Sequence, residues 1–240
     1  MRLARKPRSP RFALGRLTSG GGERYAWGPM NDSQPIAIHR SPELMSRDDT
    51  VLLVVDMQQR LVPVVRNPER LVWNVGRLLQ GAKLLGIPAV ASEQYPRGLG
   101  ATLPDIVAGL AATRDWGAAA IPAKLTFSAY GCPAVRERLA ALERPNVLVC
   151  GIETHVCVLQ TVFDLAHAGY RVFLAEDAVE SRSDADRATA LRRMEAAGAT
   201  VTTVESALFE WCFEAGTPEF KQVSQLVKQT FADQREEPLQ

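Results

Sequence analysis

From residue 48 onward the chain alternates short unbroken apolar runs with longer stretches in which apolar residues recur at helical spacing. The runs at 51–55, 87–91, 118–123, 147–150, 171–175 and 200–204 are continuous rather than alternating, as strands covered on both faces require. Helical spacing over 68–85, 104–110, 133–142, 155–168, 184–197 and 218–231 predicts six helices between and after them. Asn67 and Pro68 supply a cap and a first helical residue. Gly86, Gly169 and Gly198 stand where a helix reverses into the next strand, a place that favours a left-handed residue. This alternation predicts an α/β fold, a three-layer α/β/α sandwich around a six-stranded parallel sheet in the order 3-2-1-4-5-6.

The first 45 residues break the pattern. They hold eight basic side chains against three acidic ones, five prolines and the run Gly20-Gly21-Gly22, without a sustained apolar period. Such a segment cannot bury enough surface to fold alone, so residues 1–45 are expected to form a disordered basic extension and 46–240 a single domain. The extension is open to three readings: a transit peptide, a flexible tail, or an over-called start with Met30 as the alternative beginning. Across 240 residues the charges nearly cancel, 28 basic against 27 acidic. Removing the extension leaves 20 basic and 24 acidic side chains, a balance that gives no overall pull towards nucleic acid, so no nucleic-acid partner is expected. No apolar run is long enough to span a membrane, and the expected location is cytoplasmic, or mitochondrial if the extension is a transit peptide.

Cys132, Cys150, Cys157 and Cys212 are widely spaced and form no C-x-x-C pair, so free thiols in a reducing compartment are expected. In a Rossmann-like parallel sheet the site lies beyond the carboxyl ends of the strands, where their order reverses. Asp56 follows the first run, Lys124 the third, and the fourth opens into GIETHVCVLQ, which sets Cys157 at the start of a helix. The helix dipole would favour a thiolate there, with Asp56 as proton carrier and Lys124 as the cation that steadies both. A small buried hydrophobe is the other reading of the same cysteine. Gln94 and Tyr95 after the second run, Phe127 after Lys124, and His155 before Cys157 are placed to line a small-molecule pocket.

The segments VLLVVDMQ, SEQYPRGLGATLPDI, AKLTFSAY and GIETHVCVLQTVFDLAHAGYRVFLAEDAVESRS, in this order, resemble the isochorismatase-like cysteine hydrolase superfamily. SRSDADRATALRRMEAAGA and ESALFEWCFEAGTPEFKQVSQLVK narrow the resemblance to its isochorismatase-domain-containing subgroup. The resemblance implies a catalytic triad of Asp56, Lys124 and Cys157, and a cis peptide between Ile152 and Glu153. It also implies an oxyanion hole formed by the backbone N–H groups of Glu153 and Cys157, and a homo-oligomer, dimeric or larger. The implied activity is hydrolysis of a small amide or carbamoyl C–N bond through a thioester, without a cofactor.

Two features narrow that implication. Relatives that hydrolyse isochorismate typically lack the cysteine, and nicotinamidases carry metal-binding histidines between the Asp and the Lys. This chain keeps Cys157 and has no histidine between Asp56 and Lys124, so no metal is expected. A regulatory or RNA-associated protein that retains the triad without turnover, and a thiol redox sensor, remain the alternatives.

Overall fold

The computed structural model describes residues 12–17, 24–29, 40–114 and 120–231. The chain divides into two units, 1–41 and 42–240. In the first, Phe12–Leu17 and Arg24–Pro29 pair as a two-stranded antiparallel ladder where disorder is expected; residues 1–11, 18–23 and 30–39 of the extension lie outside the described residues. In the second unit Met45 is wholly buried in the core, and its N–H donates to the Glu210 carboxylate at 2.9 Å.

The second unit is the expected three-layer sandwich. Its strands are β1 (Thr50–Val55), β2 (Ala89–Gln94), β3 (Ala123–Lys124), β4 (Asn146–Ile152), β5 (Arg171–Glu180) and β6 (Thr200–Thr202). All pair in parallel, in the spatial order β3-β2-β1-β4-β5-β6. Side chains alternate across the sheet. Leu52, Val54, Leu148 and Cys150 pack into one apolar layer with α1 (Pro68–Leu85), α3 (Pro104–Ala111), α7 (Val204–Cys212) and α8 (Pro218–Lys228). Val51, Leu53, Val55 and Val149 pack into the other, with α4 (Pro133–Ala141), α5 (Leu159–His167) and α6 (Asp184–Ala196). Coverage on both sides is why the strand runs are apolar without a break.

The departures from the expected elements are local. The third strand is only Ala123–Lys124, and residues 118–119 of its expected span lie outside the described residues. Residues Pro96–Leu99, between the second strand and the expected helix at 104, form one turn of helix, α2. The run at 200–204 stops at Thr202, because the Thr203 hydroxyl accepts from the Ser206 N–H at 3.3 Å and starts α7. Trp211, on that helix, is fully buried.

Candidate active site

The parallel register brings three strand ends together. Val55 pairs with Ser92 on one side and with Gly151 on the other, while Gln94 pairs with Lys124. At Gly151 the backbones of β1 and β4 approach so closely that a Cβ would run into the Val55 carbonyl, and φ there is +114°. Only glycine meets both demands. Asp56 and Tyr95, the first residues after β1 and β2, both turn out of the sheet with positive φ, 52° and 38°. For residues other than glycine this backbone is uncommon and gathers at functional sites.

Asp56 has no solvent exposure, yet both carboxylate oxygens are engaged. One accepts from the Lys124 ammonium at 2.7 Å and the other from the Ser92 hydroxyl at 2.7 Å. Burial raises the Asp56 carboxyl above its ordinary range, opposed by the Lys124 charge and these hydrogen bonds. Lys124 also donates to the Gln94 side-chain oxygen at 2.7 Å and to the Phe127 carbonyl at 2.8 Å, with the Thr126 carbonyl further off at 3.3 Å. An ammonium has three protons. Asp56, Gln94 and Phe127 take all three.

Cys157 lies in a π-helical turn, Thr154–Val158, that runs on into α5. Such turns occur often at functional sites. The thiol is 6% exposed and interacts with both Asp56 and Lys124. Its helix-start position alone would lower the thiol's pKa, but burial dominates here. Together with the Asp56 carboxylate, and against the Lys124 cation, burial pushes the thiol up to about 12.

The Ile152–Glu153 peptide is cis. The Glu153 carbonyl accepts from the Val156 and Val158 N–H groups at 3.1 and 3.2 Å, so Glu153 and Cys157 belong to one turn. The Glu153 carboxylate pairs with Arg182 at 2.8 Å. A ring nitrogen of the half-buried His155 meets the hydroxyl of buried Ser181 at 3.0 Å. Tyr95 and Phe127 flank Lys124 and are half exposed, whereas Gln94 is tied to Lys124 and to the Leu125 carbonyl at 3.1 Å.

Three contributors are not visible as chemistry in the sequence. Ser92 faces Asp56 only because β2 runs in register with β1. The fully buried Thr161 hydroxyl donates to the Cys157 carbonyl at 2.6 Å and accepts the Ala129 N–H at 2.8 Å, joining the cysteine turn to the loop after Lys124. Its signal is its position four residues after Cys157, where a threonine can bond back to the preceding turn. Gln58, also wholly buried, clamps the end of β2. Among the described residues, no group of three or more His, Cys, Asp or Glu side chains is gathered as a metal would need, and no helix is long and apolar enough to cross a membrane.

The Isochorismatase domain family matches residues 50–206 of the chain. Isochorismatase domain-containing protein 2 of Bos taurus is 38% identical over 187 residues, covering 77% of this chain and 85% of its own length. The secreted isochorismatase effector Isc1 of Phytophthora sojae is 38% identical over 182 residues, covering 75% and 85%. Among solved structures, the MAR1 ribonuclease of Caenorhabditis elegans superposes with a TM-score of 0.72 at 34% identity, over 82% of this chain and 98% of that one.

Proposed function

The chain belongs to the isochorismatase family, and on that premise we propose that it is a cysteine-dependent hydrolase of a small amide or carbamoyl C–N bond. The observation that carries this reading is the placement of one thiol against a buried carboxylate that is itself held by a buried cation. A thiol held at about 12 does not ionise in advance at neutral pH. Its proton passes to Asp56 as Sγ attacks the carbonyl carbon, and the raised carboxyl is a better acceptor than an ordinary one.

The attack forms an S–C bond and puts a negative charge on the carbonyl oxygen. The donors proposed for that oxygen are the backbone N–H groups of Glu153 and Cys157, the pair that the family resemblance implies. Asp56 then gives its proton to the departing nitrogen as the C–N bond breaks, leaving a thioester and free amine or ammonia. A water molecule loses a proton to Asp56 and attacks the thioester. Collapse expels the Cys157 sulfur, which recovers its proton from Asp56, and releases the acid.

A sensor thiol is expected to be acidic, whereas burial shifts the Cys157 thiol the other way. The name of the worm relative carries a second reading, cleavage of RNA. One panel separates the two: small amides and ureido compounds followed by ammonia release, and RNA followed by fragment length. Wild type is expected to release ammonia and to show an acyl adduct on Cys157 in acid-quenched intact-mass spectra. Cys157→Ala is expected to lose both. Full ammonia release from Cys157→Ala overturns the thiol mechanism, and RNA cleavage without ammonia release replaces it.

A further inference from the structure

We propose that Gln94 is a positioning residue, held by Gln58, that fixes the Lys124 ammonium and through it sets the readiness of the Cys157 thiol; this rests on the thiol mechanism above. The hydrogen bonds leave neither amide free to flip. Lys124 Nζ can only donate, so the Gln94 atom facing it at 2.7 Å is the oxygen, and the Gln94 nitrogen donates to the Leu125 carbonyl. Gln58 is fixed in the same way. Its side-chain oxygen accepts the Gln94 N–H at 2.7 Å, and its nitrogen donates to the Gln94 carbonyl at 3.0 Å and the Gly100 carbonyl at 2.7 Å.

A buried glutamine therefore grips both backbone groups of Gln94, and Gln94 grips the cation with its side chain. Gln58 lies two residues after Asp56, so the segment that supplies the carboxylate also anchors the support of its counter-ion. The remaining two Lys124 protons go to Asp56 and to the Phe127 carbonyl. Removing the Gln94 oxygen leaves that proton of the ammonium with only the more distant Thr126 carbonyl at 3.3 Å, which loosens the position of the cation. Because Lys124 opposes the rise in the thiol's pKa, a displaced cation leaves the thiol still harder to ionise.

The test reads the thiol without a substrate. Iodoacetamide alkylation of Cys157 is followed by peptide mass spectrometry across pH in the full chain, for wild type, Gln94→Met, Gln58→Met, the double variant, and Lys124→Met as the limit. Gln94→Met is expected to slow alkylation at fixed pH by about tenfold, the change in thiolate fraction carried by one pH unit. The direction should match Lys124→Met with a smaller size. Gln58→Met should slow it less, and the double variant should be no slower than Gln94→Met alone, since one residue acts through the other.

An unchanged alkylation profile in Gln94→Met overturns the proposal, as does a double variant in which the two effects multiply. If Gln58→Met does not fold, the profile of Gln94→Met decides alone, because Gln94 is only half buried. A wild type that turns over no amide while Gln94→Met still shifts the profile removes the hydrolase reading and leaves the positioning role standing. A pocket-wall role for Gln94 predicts the reverse: a raised KM with alkylation untouched.

Discussion

The middle of β4 and the turn beyond its carboxyl end each carry a cysteine, seven residues apart, in surroundings of nearly equal dryness. Cys150 has no exposure and pairs across to Val54 in the sheet; Cys157 has 6%. Burial alone raises the Cys150 thiol far above its ordinary range. Burial also raises Cys157, but there a carboxylate and an ammonium act on the same sulfur. Dryness by itself makes a thiol inert. What distinguishes the strand end is a carboxylate that shares the dry site and a cation paired with it.

Removing that carboxylate should have the largest effect. Asp56→Asn keeps the shape of the side chain but cannot take the thiol proton, and turnover, measured as ammonia release, is expected to fall by about 10²–10⁴-fold. The same change strands Lys124 as a buried cation without its partner at 2.7 Å, so stability in urea should drop by roughly 3–5 kcal/mol. Retention of more than a tenth of the wild-type turnover would mean that the strand end does not depend on its acceptor.

A smaller effect sharpens the comparison through pH. The native Cys157 thiol keeps its proton to about 12, whereas an unfolded thiol releases it near 8.5, as an approximate reference. Alkylation of Cys157 in the folded protein should therefore keep rising, by about tenfold per pH unit, through pH 9 and 10. In urea it should level off above about pH 9. The unfolded chain loses the proton first, so this thiol's contribution to stability is present below its unfolded value and is lost as pH climbs from there towards 12. A plateau near pH 7 in the folded protein would show an acidic thiol and remove the need for transfer during attack.

Much of this arrangement is legible in the chain, and the illegible parts have physical reasons. The strand runs announce themselves because both faces of the sheet are covered, and from strand order alone Asp56 and Cys157 fall at the reversal point. Helix α7 is hidden because Val204 prolongs an apolar run, while the signal that ends it is a single cap, Thr203. Ser92 and Gln58 are polar residues beside apolar strands, and nothing local says that register will aim one at Asp56 and the other at Gln94. The thiol's direction of shift is hidden for a related reason. A helix start is visible in sequence, but the depth at which the fold buries that start is not, and burial outweighs the dipole.

The smallest predicted effect approaches the comparison from the core side. Cys150→Ala removes one sulfur from the layer that β4 shares with α1, which should cost on the order of 1 kcal/mol in urea unfolding. The neighbouring Gly151 keeps β1 and β4 in close approach whatever fills position 150. Asp56, Lys124 and Cys157 therefore keep their places, and ammonia release and Cys157 alkylation should stay within about twofold of wild type, since Cys150 packs in the layer on the other side of the sheet from Cys157. A Cys150→Ala variant that folds but loses turnover as Cys157→Ala does would mean that the thiol in the middle of the strand, not the one at its end, performs the chemistry.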